Sequence, residues 1–176
     1  MDLVLRVPAQ SEEAEFLRAH RATSPSVPNF LHYYEEGMPF QRYLEVLAER
    51  DRGENLPEDQ VPSTFLFAFA GIRIVGRASI RHALNPFLEL FGGHIGYVVV
   101  PEYRRQGYAT AILRQALQIA RQKLGLTRVL VTCDDDNVGS IRTIEKNGGV
   151  LENIVADPES AKPKRRYWIA TGGQPS

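Results

Sequence analysis

One stretch, Val98 to Leu117, narrows what this chain can fold into more than any other. Val98, Val99 and Val100 form a β-branched run that reads as a buried strand. Pro101 has no N–H to donate and ends the pairing. Apolar residues then recur at Ala109, Ile112, Leu113, Ala116, Leu117, Ala120 and Leu124, with Thr110, Arg114, Gln118 and Arg121 opposite, which is a helix with one buried face. A strand that feeds a helix across a glycine turn belongs to layered α/β architecture. The turn itself, Arg104 to Ala109, places Gly107 and two arginines at a helix N-terminus. Unpaired backbone N–H groups and a partial positive charge collect there, so the turn suits a phosphate or pyrophosphate.

The rest of the chain supplies the other layers. Leu3–Val7 reads as a first strand ended by Pro8, and Ser11 with Glu12 and Glu13 as a capped helix start. A loop carries Pro25 and Pro28, and the aromatic cluster Phe30 to Tyr34 follows it. Phe40–Glu49 has helical spacing, and Arg52–Pro62 is a polar loop. Thr64–Ala70 and Arg73–Arg81 form a hairpin, and Gly92-Gly93 restarts the chain into a strand from His94 to Val100. Thr127–Cys133 is a further strand. Asp136 or Asn137 caps a short helix with inner face Val138, Ile141 and Ile144, closed by Gly148-Gly149. Val150–Val155 and Arg166–Thr171 are the last strands. The order predicts one α/β domain over residues 1–176 with a mixed sheet of about seven strands.

Charge and composition exclude several classes. With 21 Lys plus Arg against 21 Asp plus Glu, the net charge is zero, so neither nucleic acid nor an acidic membrane is an expected partner. One cysteine leaves no internal disulfide framework and fits a reducing, cytoplasmic setting. Neither a secretion signal nor an apolar run of the ~18 residues a membrane helix needs is legible. Lys162 to Arg166 reads as a solvated hairpin loop, and Asp134 to Asp136 as helix capping rather than a calcium loop, so no metal is expected.

Arg104-x-x-Gly107-x-Ala109 resembles the R/Q-x-x-G-x-G/A signature of the Gcn5-related N-acetyltransferases (GNAT). Asn137-x-x-Ser140 followed by Glu145-Lys146-Asn147-Gly148-Gly149 resembles that family's next motif, in the expected order. The resemblance spans Gly92 to Val150 and is looser before it. It implies a mixed, mostly antiparallel sheet flanked by helices, with strands 4 and 5 splayed to admit acetyl-CoA as acyl donor. It implies transfer of an acetyl group by direct attack of a primary amine on a small molecule or peptide, and it allows a homodimer. The alternative is an acyl-CoA-binding sensor or interaction module with little catalysis; a nucleotide-binding fold of another kind is a third reading.

The resemblance assigns the pyrophosphate to Arg104, Arg105, Gln106, Gly107, Tyr108, Ala109 and Thr110, and the pantetheine arm to the backbone of Val98, Val99 and Val100, in a strand that often carries a β-bulge. Asn137 and Ser140 would touch the lower pantetheine or the adenosine side. An alkylamine with a pKa near ~10.4 is neutral about one time in a thousand at pH 7, so a general base is useful. His94 and Tyr97 are the candidates, on opposite faces of a regular strand, with His82 behind them. A structural, hydrogen-bonded His94 is the plainer reading. The family's usual tyrosine, which protonates the departing thiolate, is here Ile144, leaving Tyr97, Cys133 or water for that step. Cys133 as an acetyl-accepting nucleophile competes with its reading as a small buried hydrophobe. Phe30 to Tyr34 are either an acceptor wall or plain core.

Overall fold

In the computed structural model the described residues are 2–27 and 29–172, so Pro28 of the two-proline loop lies outside them. The strands are β1 (Val4–Arg6), β2 (Ser63–Ala70), β3 (Arg73–Arg81), β4 (Ile95–Val99), β5 (Arg128–Asp134), β6 (Val150–Val155) and β7 (Lys164–Ala170), and the helices α1 (Glu13–Thr23), α2 (Phe40–Arg52), α3 (Tyr108–Leu124) and α4 (Val138–Lys146). All neighbouring strands pair antiparallel, in two sheets of order β1-β2-β3-β4 and β5-β7-β6. The sheet is thus opened between β4 and β5, the splay of strands 4 and 5 that the family resemblance implies. Among the described residues one backbone rung ties them, and Thr132 Oγ1 of β5 donates to Phe91 O just ahead of it (2.6 Å). His94 N–H donates to Leu130 O (2.7 Å), and Leu130 N–H donates to His94 Nδ1 (2.9 Å). Beyond that rung the strands part.

The β2–β3 hairpin separates two cores because its side chains alternate. One face, with Leu66, Ala68, Ala78 and Ile80, packs under the apolar stripe of α3 at Ile112, Leu113, Ala116 and Ala120. The other, with Phe65, Phe67 and Phe69, packs against α1 and α2 through Phe16, Phe40, Tyr43 and Leu47. Each of the Leu, Ile and Phe side chains contributes about 1.5–3 kcal/mol on burial. Phe30 (0% exposed) and Leu31 (6%) belong to this second core, so that half of the aromatic cluster is packing.

Four local expectations are corrected. Ser11 does not cap α1. A 3-10 turn over Gln10–Glu12 precedes the helix, and the Glu12 carboxylate takes the Ala9 N–H (2.7 Å) and the Arg6 guanidinium (2.6 Å). Val138 is 55% exposed and not part of the inner face of α4, where Thr143 and Ile144 are buried. The basic run is a loop only at Lys162 and Pro163. Lys164 and Arg165 lie in β7 and pair with Asp134 and with Asp135 (2.6 Å), while Lys162 holds Asp136 (2.8 Å). The acidic run is therefore neutralised partner by partner, and Asn137 is the cap of α4, its Oδ1 accepting Ser140 N–H at 3.0 Å. Finally, β4 pairs with β3 without a register shift; the irregularities fall between Ala68 and Phe69 of β2 and between Leu151 and Asn153 of β6.

Candidate functional site

The gap between β4 and β5 widens into a groove of about 870 Å³. Its floor follows from ladder geometry. Val100 N–H donates to Val75 O (2.9 Å) and Arg81 N–H to His94 O (2.8 Å). Such pairs alternate along an antiparallel ladder, so Gly96, Val98 and Val100 direct their backbone groups to β3, and Tyr97 and Val99 direct theirs into the gap. Of the expected valines, Val99 has a gap-facing backbone and Val98 and Val100 do not; Tyr97 joins it. Val99 O accepts from Arg104 Nε (3.2 Å).

One wall is the turn between β4 and α3. Arg105 and Gly107 both have left-handed φ, 63° and 86°. Such a sequence curls successive N–H groups toward a common point. Gly107 is the N-cap of α3 and no side chain caps the helix, which leaves its first-turn N–H groups for an anion. Arg104 fixes the turn: besides Val99 O, it reaches Ser26 Oγ (3.0 Å). Gln106 braces it through Glu102 O (3.0 Å), and Tyr108 packs edge-on against Tyr103 with ring centroids 6.0 Å apart.

The opposite wall is α4, which contributes Asn137, Val138, Gly139, Ser140, Arg142, Thr143 and Lys146. Arg104, Arg105, Arg142 and Lys146 line the groove and no carboxylate does, so its field is positive throughout. This fits a pyrophosphate-bearing ligand with an elongated arm. Among the described residues no group of three or more His, Cys, Asp or Glu is placed to hold a metal, and no helix is long and apolar enough to cross a membrane.

The structure brings together Tyr97, Val98, Val99, Arg104, Arg105, Gly107, Ala109, Thr110, Asn137 and Ser140 around this groove. Val100, Gln106, Tyr108 and His94 stand off it. His94 is 7% exposed, with Nδ1 accepting the Leu130 N–H. That bond places its proton on Nε2, and burial, then Arg81, hold its pKa below the ordinary histidine value. His82 bonds Thr64 Oγ1 (2.9 Å) on the far side.

Tyr97 differs. Its hydroxyl crosses the groove and donates to Ser140 O at 3.5 Å. Burial pushes its pKa up to about 12. Ile144 is 0% exposed, turned into the core and away from the groove. The Cys133 thiol is buried and pushed up to about 11 by that burial. Sequence reasoning missed Val27, Tyr103, Arg142, Thr143 and Lys146 as groove residues. For Arg142 and Lys146 a signal existed: they are four apart on α4 and share one edge.

A profile described as "Acetyltransferase (GNAT) family" matches residues 27–149. The chain is 26% identical over 143 residues to the uncharacterized N-acetyltransferase YnaD of Bacillus subtilis (strain 168), covering 80% of this chain and 75% of that protein. In fold it is similar to the microcin C7 self immunity acetyltransferase MccE in complex with acetyl-CoA and AMP, with a TM-score of 0.69 at 16% identity over 96% of this chain and 92% of that one. It is also similar to RimL, a ribosomal L7/L12 alpha-N-protein acetyltransferase in complex with coenzyme A, with a TM-score of 0.69 at 16% identity over 96% and 93% of the two chains.

Proposed function

This chain belongs to the acetyltransferase (GNAT) family, and from that premise we propose that residues 1–176 act as one domain that moves an acetyl group from acetyl-CoA to a primary amine of a small molecule or peptide by direct attack. The observation that carries the reading is the groove beside the open edge of β4, floored by the gap-facing backbone of Tyr97 and Val99, closed by the turn at Gly107 and lined, among the described residues, by four cations without a carboxylate. Acetyl-CoA supplies the acyl carbon and a sulfur leaving group. The first-turn N–H groups of α3, with Arg105 and the cations of α4, hold its pyrophosphate and phosphate. Tyr97 and Val99 pair with the pantetheine arm, and Asn137 and Ser140 border it from α4.

Tyr97 acts as a hydrogen-bond donor. As a base it fails, since a phenol with a pKa of about 12 is ionised in only about one molecule in 10⁵ at pH 7. Full transfer of its proton to a thiolate of ordinary pKa ~8.5 is uphill by roughly 3.5 units. A neutral O–H directed at the negative charge that develops on sulfur or oxygen stabilises it without giving up the proton. His94 takes no part, because its ring is committed to the β4–β5 rung. The amine reaches the groove neutral and loses its second proton to solvent.

RimL, by its description, acts on a protein α-amine, so peptide N-termini belong in the test beside small amines. Acetyl-CoA is titrated by calorimetry, and release of free CoA is then followed across an amine panel. Saturable binding with amine-dependent turnover is the expected outcome. Binding without turnover for any amine would return the chain to the interaction-module reading, and no binding would defeat both.

A further inference from the structure

A second cleft, of about 550 Å³, opens on the α1–α2 side of the first sheet between Tyr33, Ser63, Arg81 and Leu88. From it a polar row runs inward along β3. Arg77, Ser79 and Arg81 share one strand face and lie across from Val98, Gly96 and, at the rung beyond β4, His94. The row therefore leads from this cleft to Val98, which borders the acyl-donor groove.

The row is positive and unsatisfied. Arg77 is 5% exposed. Among the described residues its Nη2 reaches only the Asn29 carbonyl (3.1 Å), and its Nε has no hydrogen-bond partner, as is true of Ser79 Oγ and of the neighbouring Tyr43 OH. Arg81, among the described residues, reaches only the carbonyls of Gly92 (3.0 Å) and Gly93 (3.2 Å). Among the described residues no carboxylate pairs with either guanidinium. Glu58 and Asp59 stand exposed at the cleft rim. The Arg77 guanidinium also lies over the rings of Phe65 (5.1 Å to the centroid) and Phe30 (5.9 Å), but carbonyls and aromatic faces offset only part of the desolvation of a buried cation that has no anion. Burial pulls Arg77 down to about 10, with Arg81 adding to the effect, and both arginines help to lower His32 beside them. Gly96 lets β4 pass close against this row, with no room for a side chain between them. A Cβ there would stand 3.1 Å from Ser79 Oγ and 3.7 Å from Arg81 Nη1.

We propose that the acceptor amine carries an anionic group, a carboxylate or a phosphate, seated at Arg81 and Ser79 with the charge of Arg77 behind it, so that its amine points along β3 toward Val98. The proposal rests on the acetyl-transfer reading for the role of the amine; the anion seat itself does not depend on it. Four strand residues span roughly 13 Å, which admits an acceptor of several bonds between its anion and its nitrogen.

The seat is tested first by binding. With saturating CoA occupying the groove and ionic strength held constant, thermal unfolding is recorded in inorganic phosphate, in acetate and in chloride. Phosphate or acetate should raise Tm by about 2 °C or more over chloride, and the stronger of the two names the anion class. Arg81→Gln and Arg77→Met should abolish the shift and leave CoA affinity within about twofold, while Arg81→Lys retains part of it. Met is an apolar replacement for a buried cation, so the Arg77→Met protein should keep or gain stability. Acetyl transfer is then compared within matched pairs long enough to span the distance from Arg81 to Val98, a long-chain ω-amino acid against its amide and a long-chain aminoalkyl phosphate against the amino alcohol. One anionic member should exceed its neutral partner by about 100-fold in kcat/KM. Equal rates for both members, or no anion-specific shift in the unsubstituted protein, overturns the proposal with acetyl transfer intact. If no amine is acetylated, acetyl transfer fails and the Tm comparison alone decides the anion seat.

Discussion

At the scale of single residues, the proposed chemistry turns on which of two strand neighbours meets the groove. Tyr97 of β4 and His94 just before it are three apart in extended chain, which sends them to opposite faces. The absence of a bulge keeps that parity. If the Tyr97 hydroxyl is the donor that stabilises developing charge, Tyr97→Phe should lower kcat about 10²-fold and leave acetyl-CoA affinity within about twofold. An unchanged kcat would remove Tyr97 from the chemistry. His94→Ala should act in the reverse manner. It strips the Leu130 N–H of its acceptor, which costs on the order of 1–3 kcal/mol in urea unfolding, while kcat of the folded protein stays within about threefold. A 10²-fold loss of kcat in a variant of intact stability would reinstate His94. The sequence alone left the two open because strand parity orders faces but does not say which face borders the gap. Ile144 was legible as the missing acid, and its burial at 0% exposure shows why: that position of α4 belongs to the core of this chain.

At the scale of elements, the strand–turn–helix unit was readable because each part has a local cause. Three β-branched residues, a proline that ends pairing, a glycine with positive φ and a one-sided apolar stripe all act within a few residues of themselves. Gly107 has φ 86°, which only glycine adopts without strain. Gly107→Val should therefore weaken CoA binding by tenfold or more in calorimetry, and unchanged affinity would move the pyrophosphate elsewhere. The α4 edge was less legible, since a charged residue on a short helix looks the same whether it faces solvent or a ligand. Lys146→Glu puts a negative charge opposite the turn. CoA affinity should fall, by about tenfold at 0.05 M salt and by less at 0.5 M, because screening weakens the effect; a loss independent of salt would argue for a fold defect instead. The pairing of Asp134 and Asp135 with β7 was illegible for a different reason. Partners 30 residues apart meet only through the register of β5 on β7.

At the scale of the whole molecule, the order of elements conveyed the α/β layering, whereas the division into four-stranded and three-stranded sheets depends on a single rung at His94 that no local pattern specifies. The same long-range packing sets a pH dependence. All four histidines are held below their ordinary pKa, burial being the first cause for each: His20, His82, His94, and His32, which burial and then Arg77 and Arg81 pull to about 4. Below pH 6.5 the unfolded chain takes up protons that the folded chain refuses, so stability rises with pH across this window. The contribution is complete above about pH 6.5 and is lost as pH falls toward 4. For His32 alone the loss is about 2 kcal/mol by pH 5. The carboxylates of Glu12 and Glu15, held low, the first mainly by Arg6 and the second by Arg18, Ile74 N–H and Arg73 against an opposing burial effect, add their own loss only below about 4.5, the ordinary glutamate value. Urea midpoints should thus fall between pH 7 and pH 5 at constant m-value, and His32→Gln should flatten that fall. A midpoint independent of pH over this range would mean that His32 is not held neutral between the two arginines. An anion seated at Arg81 would oppose the same charges, so phosphate or acetate should shift the acid limb of this profile to lower pH in step with its effect on Tm.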